Sequence, residues 1–404
     1  MQRKALFVLF GTLLLDTITV GILFPIIPIL FTDASKPAFM LAGYSVSMQY
    51  FVVGAIGAIY GLMQFIAAPL LGELSDIYGR KRLLTLCVGL LAVANLLFGF
   101  GITVASLSVL FFSRLVAGFA GANFAIAQAT IADVSKPEDR AKNFGLIGAA
   151  FGVGFILGPL LGGWIAGATG NAAAPFWFAG MLGILNLIFI SLFLPETHHE
   201  RKEVTSRFNL LIGINNIRAA FRDRDAAPVY WTSFLYMCGF TFFTTFISVL
   251  LSVKYAFSEA QIGTFFGVVG LCIVITQVGI LRYVSKRWSE RTAMLFGFPV
   301  VAFCIFAYPF AHSVWFLYLL VPLMAVPQGL AFANLGALIS KSVSKDKQGA
   351  ALGINGSLIA LAQGIIPLAA GVGTSFVGLT APFAVGALFI MSAWYVLFNF
   401  RRSV

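Results

Sequence analysis

The sequence predicts an all-α membrane protein: twelve transmembrane helices in two six-helix bundles, with both termini in the cytoplasm. Three observations predict it. The 404 residues are 60% hydrophobic and 10% charged, where ordinary soluble domains carry about 25% charge. Apolar runs of about 20 residues recur along the whole chain, each long enough to cross roughly 30 Å of hydrocarbon as a helix. Lipid cannot satisfy backbone polar groups, and the strict alternation of a barrel strand is absent, which leaves a helical bundle. Third, all of the 26 Lys and Arg except Lys36, Arg114 and Lys254 fall at the two termini or in every second inter-helix segment. That one-sided asymmetry places those segments inside the cell. It also accounts for the net charge of +11 without nucleic acid as a partner.

The first run, 5–31, is too long for the core of a signal peptide and has no small-residue cleavage site, so it reads as a retained first helix. Pro25 and Pro28 interrupt it towards its outer end. Further helices are predicted at 45–72, 83–104, 106–131, 143–168 and 173–194. A second set follows at 227–252, 260–283, 292–311, 314–340, 349–376 and 381–400. The second and third helices are joined by 72–82, in which Glu73 and Asp76 come first, Arg80, Lys81 and Arg82 sit together, and Gly72 and Gly79 frame the acids. This stretch reads as a short cytoplasmic hinge. Polar residues 195–225 form the one candidate linker, giving an N-terminal bundle (1–195), a linker (196–225) and a C-terminal bundle (226–404). Within it, 207–222 has the apolar spacing of a surface helix through Phe208, Leu211, Ile212, Ile217 and Phe221.

The halves repeat. Val134-Ser135-Lys136 recurs as Val343-Ser344-Lys345 and, after a one-residue slip, Gly145, Gly148, Pro159 and Gly163 match Gly353, Gly356, Pro367 and Gly371. Two parallel six-helix repeats are a transporter signature, with a substrate site expected near mid-membrane. Gly154, Gly158, Pro159, Gly162 and Gly163 cluster in the fifth helix, where they are expected to loosen it or to permit close packing.

Ionisable groups inside a span are costly and point to function. Asp16 and Arg114 are the two clear cases. At 1.5 Å per residue, Asp16 lies about 15–20 Å from the inner face and Arg114 about 12 Å from the outer one, within several ångströms of each other in depth. Two readings stand: a pair that loads and releases a proton as its surroundings change, or a fixed ion pair tying two helices together. Gln64, Asn95, Asn123, Gln128, Tyr236, Gln277, Gln328, Asn334, Asn355 and Gln363 are the candidates for substrate contact in otherwise apolar walls. Each also suits an interhelical hydrogen bond. No Gly-Lys-Ser/Thr phosphate loop is present, so nucleotide is not the energy source. His198 and His199 lie in the linker and His312 beside an outer turn, which gives no metal site. The four Cys sit in apolar runs without paired spacing and read as small buried hydrophobes. No catalytic constellation and no cofactor is expected; the chain does not read as an enzyme.

Several stretches resemble the major facilitator superfamily. Gly72-Glu-Leu-Ser-Asp76-Ile-Tyr-Gly79-Arg80-Lys81-Arg82 is similar to its second-to-third-helix signature. Arg114-Leu-Val-Ala-Gly118-Phe-Ala-Gly121 is similar to its fourth-helix motif, and 154–163 to the fifth-helix motif of its antiporters. Asp16 with Gly21, Pro25 and Pro28, the run Tyr60…Gln64…Pro69, Asp133…Arg140, and Leu194-Pro195-Glu196-Thr197 look most like the drug:proton antiporters, the tetracycline efflux group in particular. That group carries further carboxylates in its third and ninth helices, where this chain reads Val93-Ala94-Asn95 and Phe298-Pro299-Val300. Its eighth-helix histidine has no match in 271–275. The resemblance implies a proton-transfer role for Arg114, with Asp16 its coupling partner. The charged stretch itself predicts a cytoplasmic gate at Gly72, Asp76, Gly79, Arg80 and Lys81, where Asp76 and Arg80 latch helix ends in the outward-open state; the plain alternative is a segment that only sets topology.

The expectation is a secondary transporter of a bacterial inner membrane, a monomer exchanging protons for amphiphilic drug-like compounds by alternating access. The alternatives are a metabolite or siderophore carrier in either direction and a non-transporting receptor of the same fold.

Overall fold

The structure is a computed structural model that describes residues 2–135, 140–197, 212–222, 226–344 and 348–400. Among them are twelve helices long and apolar enough to cross a membrane. The first span is α1 (Gln2–Gly21) with α2 (Leu23–Phe31), followed by α3 (Val46–Tyr78) and α4 (Arg80–Thr103). The fourth span is α5 (Leu107–Gly121) with α6 (Asn123–Val134); then come α7 (Arg140–Thr169) and α8 (Ala174–Phe193). A short α9 (Ile212–Arg222) precedes the seventh span, α10 (Ala227–Tyr255). The eighth is α11 (Glu259–Ile275), a π-helical turn at Thr276–Ile280, and α12 (Leu281–Val284). The last four are α13 (Glu290–Ala307), α14 (Val314–Ser342), α15 (Gln348–Val377) and α16 (Ala381–Asn399).

Local chemistry sets many of these ends. Ser106, Ser289 and Ser313 sit in extended backbone ahead of α5, α13 and α14, and each side chain accepts an amide of the first turn, the usual N-cap arrangement. Pro starts α8, α10 and α16, where its missing N–H costs no helical bond.

One feature refines the sequence reading and three depart from it. The first helix breaks at Ile22, a turn before its prolines, because Pro25 has no N–H to give the Gly21 carbonyl. The fourth breaks at Ala122, where the Gln64 side chain donates to the Gly121 carbonyl at 3.0 Å. The eighth carries a π-turn, a feature that often marks functional positions. The charged stretch after Gly72 is helical through Tyr78, so the hinge contracts to Gly79 alone (φ 101°).

The chain forms two compact units. One comprises Met1–Ala42, Ile59–Ile212 and Phe257–Phe266; the other comprises Gly43–Ala58, Gly213–Ala256 and Gly267–Val404. In the first, α1 packs on α7 and α4 on α5 and α8, around Leu9, Leu13, Leu84, Val88, Ile126 and Ile190. In the second, α10 packs on α15 and α16, and α13 on α14 and α16. Of the predicted surface helix 207–222, residues 207–211 lie outside the described ones. The remainder is α9, which docks on the second unit: Phe221 stacks on Trp231 at 4.4 Å, and Ile217 and Ala220 join the cluster around Val229 and Tyr230. Large apolar side chains face outward, Trp315 and Phe376 at 84% and 85% exposure, as lipid permits and water does not.

The fifth-helix glycines do not loosen their helix, which runs unbroken from Arg140 to Thr169. They let it touch the first span. A Cβ at Gly154 would lie 2.5 Å from Thr17 Cβ, at Gly158 2.6 Å from the Ile18 carbonyl oxygen, and at Gly162 2.8 Å from that of Ile22. Within the same unit, Gly163 abuts the backbone of Glu259 and Gly263, next to a Lys36–Glu259 ion pair of 2.8 Å. The second unit has a parallel device: Gly54 abuts Pro367 and Gly371.

Candidate functional site

Asp16 lies half-way along the first span, on α1. Its carboxylate accepts a hydrogen bond of 2.5 Å from Asn123 Nδ2. The break at Ala122 starts α6 at Asn123 and leaves that side chain buried. Arg114 comes from α5 and is 4% exposed. Its guanidinium carbon stands 4.4 Å from the centroid of the Phe98 ring, and neither Nε nor Nη2 has a hydrogen-bond partner among the described residues. Asp16 and Arg114, expected to meet, form no ion pair in this structure. The depth argument placed them at similar levels, but it carries no information on azimuth, and Asn123 takes the carboxylate instead. Tyr60, from α3, brings its hydroxyl against Gly121 at the break between α5 and α6. It lies against α5 because Gly118 and Gly121 have no side chain; a Cβ on Gly118 would also meet Met63 Cβ at 2.8 Å.

The other candidates lie in different surroundings. Gln64 and Asn123 join this cluster, while Asn95 turns back to its own helix and donates to the Leu91 carbonyl at 2.9 Å. In the second unit, the Tyr236 hydroxyl donates to Gln328 Oε1, and its ring stacks on Phe298 at 4.5 Å. Gln328 Nε2 is buried with no partner among the described residues, and Asn355 accepts from the Ser233 hydroxyl at 2.6 Å. Gln277 lies on the π-turn. Asn334 lines a cavity of about 170 Å³ with Trp288, Glu290 and Lys341. Gln128 and Gln363 are half-buried.

The predicted gate is a network around Arg80, which is 6% exposed. Its guanidinium pairs with Asp76 at 2.6 Å and Asp133 at 3.0 Å, and donates to the Ser75 hydroxyl. Its backbone N–H, the first of α4, donates to Glu196 Oε1 at 3.0 Å. A carboxylate at a helix N-terminus meets both orphan amides and the positive end of the dipole. Glu196 therefore ties the start of the linker to the hinge, a link the sequence reading missed although it had singled out Leu194–Thr197. Lys81 is half-buried, and Gly72 has open space where a side chain would go.

Gly79 and Gly72 are expected to respond in opposite ways to the same change. At Gly79 an L side chain meets an unfavourable φ and the Glu196 carboxylate. Gly79→Ala should cost about 1–3 kcal/mol and lower the melting temperature in detergent. Gly72→Ala, inside α3 with free space, should be neutral or gain up to about 1 kcal/mol. Equal melting temperatures for the two variants would contradict this account of the hinge.

The model of the Major Facilitator Superfamily matches residues 9–311 and 229–403 of the chain. The chain belongs to this superfamily. Among proteins of known role, it is 32% identical over 395 residues to the class C tetracycline resistance protein of Escherichia coli, covering 97% of this chain and 91% of that one. It is 29% identical to the quinolone resistance protein NorA of Staphylococcus aureus, covering 92% and 90%. The solved structure of the human organic anion transporter MFSD10 matches with a TM-score of 0.75 and 25% identity, over 98% of this chain and 99% of that one. The chain is thus a multi-pass membrane transporter of small molecules and not an enzyme, with drug-efflux proteins among its relatives.

Proposed function

We propose that this protein is a proton-coupled antiporter that exports amphiphilic, drug-like molecules by alternating access. The observation that carries the proposal is Asp16, a carboxylate in mid-span held by a neutral amide and, among the described residues, paired with no cation. Such a group is stable in hydrocarbon with its proton on, and it releases the proton when a substrate cation or water replaces it. The efflux relatives favour the outward direction and the drug-like substrate class. Arg114 sets the local field without pairing directly to Asp16. The network of Arg80, Asp76, Asp133 and Glu196 acts as the inner latch, broken and remade as the bundles rock. The basic segments face the cytoplasm of a bacterial cell, the protein works in the inner membrane as a monomer, and nucleic acid is not a partner.

A screen of fluorescent amphiphiles in inside-out vesicles tests this. With an acidified lumen, at least one compound should accumulate, and a protonophore should abolish the accumulation. Uptake found only in right-side-out vesicles would indicate import and favour a metabolite carrier.

A further inference from the structure

We propose that the basic end of α12, α13 and α14 holds the headgroup of an anionic phospholipid. The first clue is a reversal of charge between the halves. Helix α4 begins at Arg80 and α13 at Glu290. Counted back from those starts, Ser75 corresponds to Ser285 and Asp76 to Lys286. Asp133 corresponds to Lys341 by the same interval that relates Gly145 to Gly353. In the first unit the two acids hold a buried Arg80. In the second their counterparts are lysines, and Lys341 pairs with Glu290 at the surface, a kind of ion pair that contributes little. Residues 282–291 and Lys341 together carry five basic groups against that single acid.

The second clue is room. The cavity of about 170 Å³ at this end is lined by Ser285, Trp288, Ser289, Asn334 and Lys341, and is roughly ten times what one water needs. Asn334 is 6% exposed, and its side chain makes no hydrogen bond among the described residues. It lies two turns before Lys341 on α14, so the polar lining runs about 10 Å inward from the surface. A phosphate with its glycerol finds donors there in the ammonium, the amide and the serine hydroxyls. The third clue selects a lipid over a soluble anion. Trp288 and Tyr283 are exposed beside the cavity, as aromatic residues are at a membrane interface, and the Arg287 guanidinium lies 4.4 Å from the Tyr283 ring centroid. Trp288 packs on Phe296 at 5.2 Å. From there the exposed Phe296, Val300 and Phe303 follow one face of α13, a track for acyl chains. Basic pockets between the cytoplasmic ends of spans suit anionic headgroups. The inner leaflet follows from the reading that the basic segments face the cytoplasm.

Tryptophan quenching by brominated lipid tests this on the purified full-length protein in phosphatidylcholine bilayers. Brominated phosphatidylglycerol or brominated phosphatidylcholine is titrated in, and subtracting the signal of Trp288→Phe isolates the residue at the cavity. Phosphatidylglycerol should bind there at least about tenfold more tightly than phosphatidylcholine, a difference of about 1.4 kcal/mol. Lys341→Gln should reduce that preference about fivefold, the effect of one basic side chain beside anionic lipid. Lys4→Gln, which removes an exposed charge from the first helix, should leave it unchanged. Equal quenching of Trp288 by the two lipids, or a preference that survives Lys341→Gln intact, would overturn the proposal. Relief of the quenching by glycerol 3-phosphate would identify a soluble anion as the occupant and overturn it as well. Transport is not measured in any arm, so every outcome is separate from the antiport reading.

Discussion

Asp16→Asn should lose gradient-driven accumulation entirely, to the level of vesicles lacking the protein. The amide keeps the size and the hydrogen bond with Asn123 but cannot take up or release a proton. Because Asn mimics the protonated carboxyl in shape, the helix contacts of Thr17 and Ile18 with α7 should survive, and the protein should insert and melt like wild type. Downhill exchange of substrate across the membrane should persist, since rocking of the bundles does not itself need the proton. Equal accumulation by the variant and the wild type would show that the proton binds elsewhere.

Gly158→Leu should abolish both driven and downhill transport. A Cβ at Gly158 would stand 2.6 Å from the Ile18 carbonyl oxygen and 2.8 Å from Gly21 Cα. These neighbours are backbone atoms that cannot turn aside, so α7 and α1 must separate. Overpacking of this kind costs about 1–3 kcal/mol in a close-packed interior. The separation also displaces α1, and with it Asp16, only two residues from Ile18. Gly356→Leu is the control. Gly356 matches Gly148 in the repeat, and a Cβ there meets nothing within 4 Å, so transport should stay near wild type. Comparable losses in both variants would mean that glycine as such, rather than the crossing with the first span, is what the helix needs.

The fold was legible because its causes are local or depend on the solvent. Span length, the bilayer requirement for satisfied backbone, and the placement of Lys and Arg all lie on the surface of the sequence. The helix interruptions were harder to read. The Pro25 break could be assigned to the missing donor, but the Ala122 break depends on Gln64 arriving from another helix. No pattern in 118–125 announces it. The π-turn near Gln277 likewise lacks a proline. The glycines of 154–163 were visible as a cluster, yet composition alone could not distinguish a loose helix from a tight crossing; only the positions of Thr17, Ile18 and Ile22 did so.

At the site, the sequence identified the charged groups and missed their partners. Asp16 and Arg114 stand out because charge is rare in a span, and Asn123 was among the polar candidates. That Asn123, rather than Arg114, holds the carboxylate depends on which faces α1, α5 and α6 present to one another. Helical depth is computable from residue number, whereas azimuth is set by packing, here by Gly118 and Gly121 against Tyr60. The same limit hid Glu196 on the Arg80 amide: both residues were noted, 116 positions apart, with nothing in either stretch to join them.

The most direct test of the account is proton release on substrate binding, measured with a pH indicator in weakly buffered detergent for the wild type and Asp16→Asn. A compound that the vesicle screen shows to be transported should release protons from the wild type in proportion to occupancy, and the same occupancy of the variant should release none. Equal release from the two proteins would contradict Asp16 as the site where substrate and proton compete.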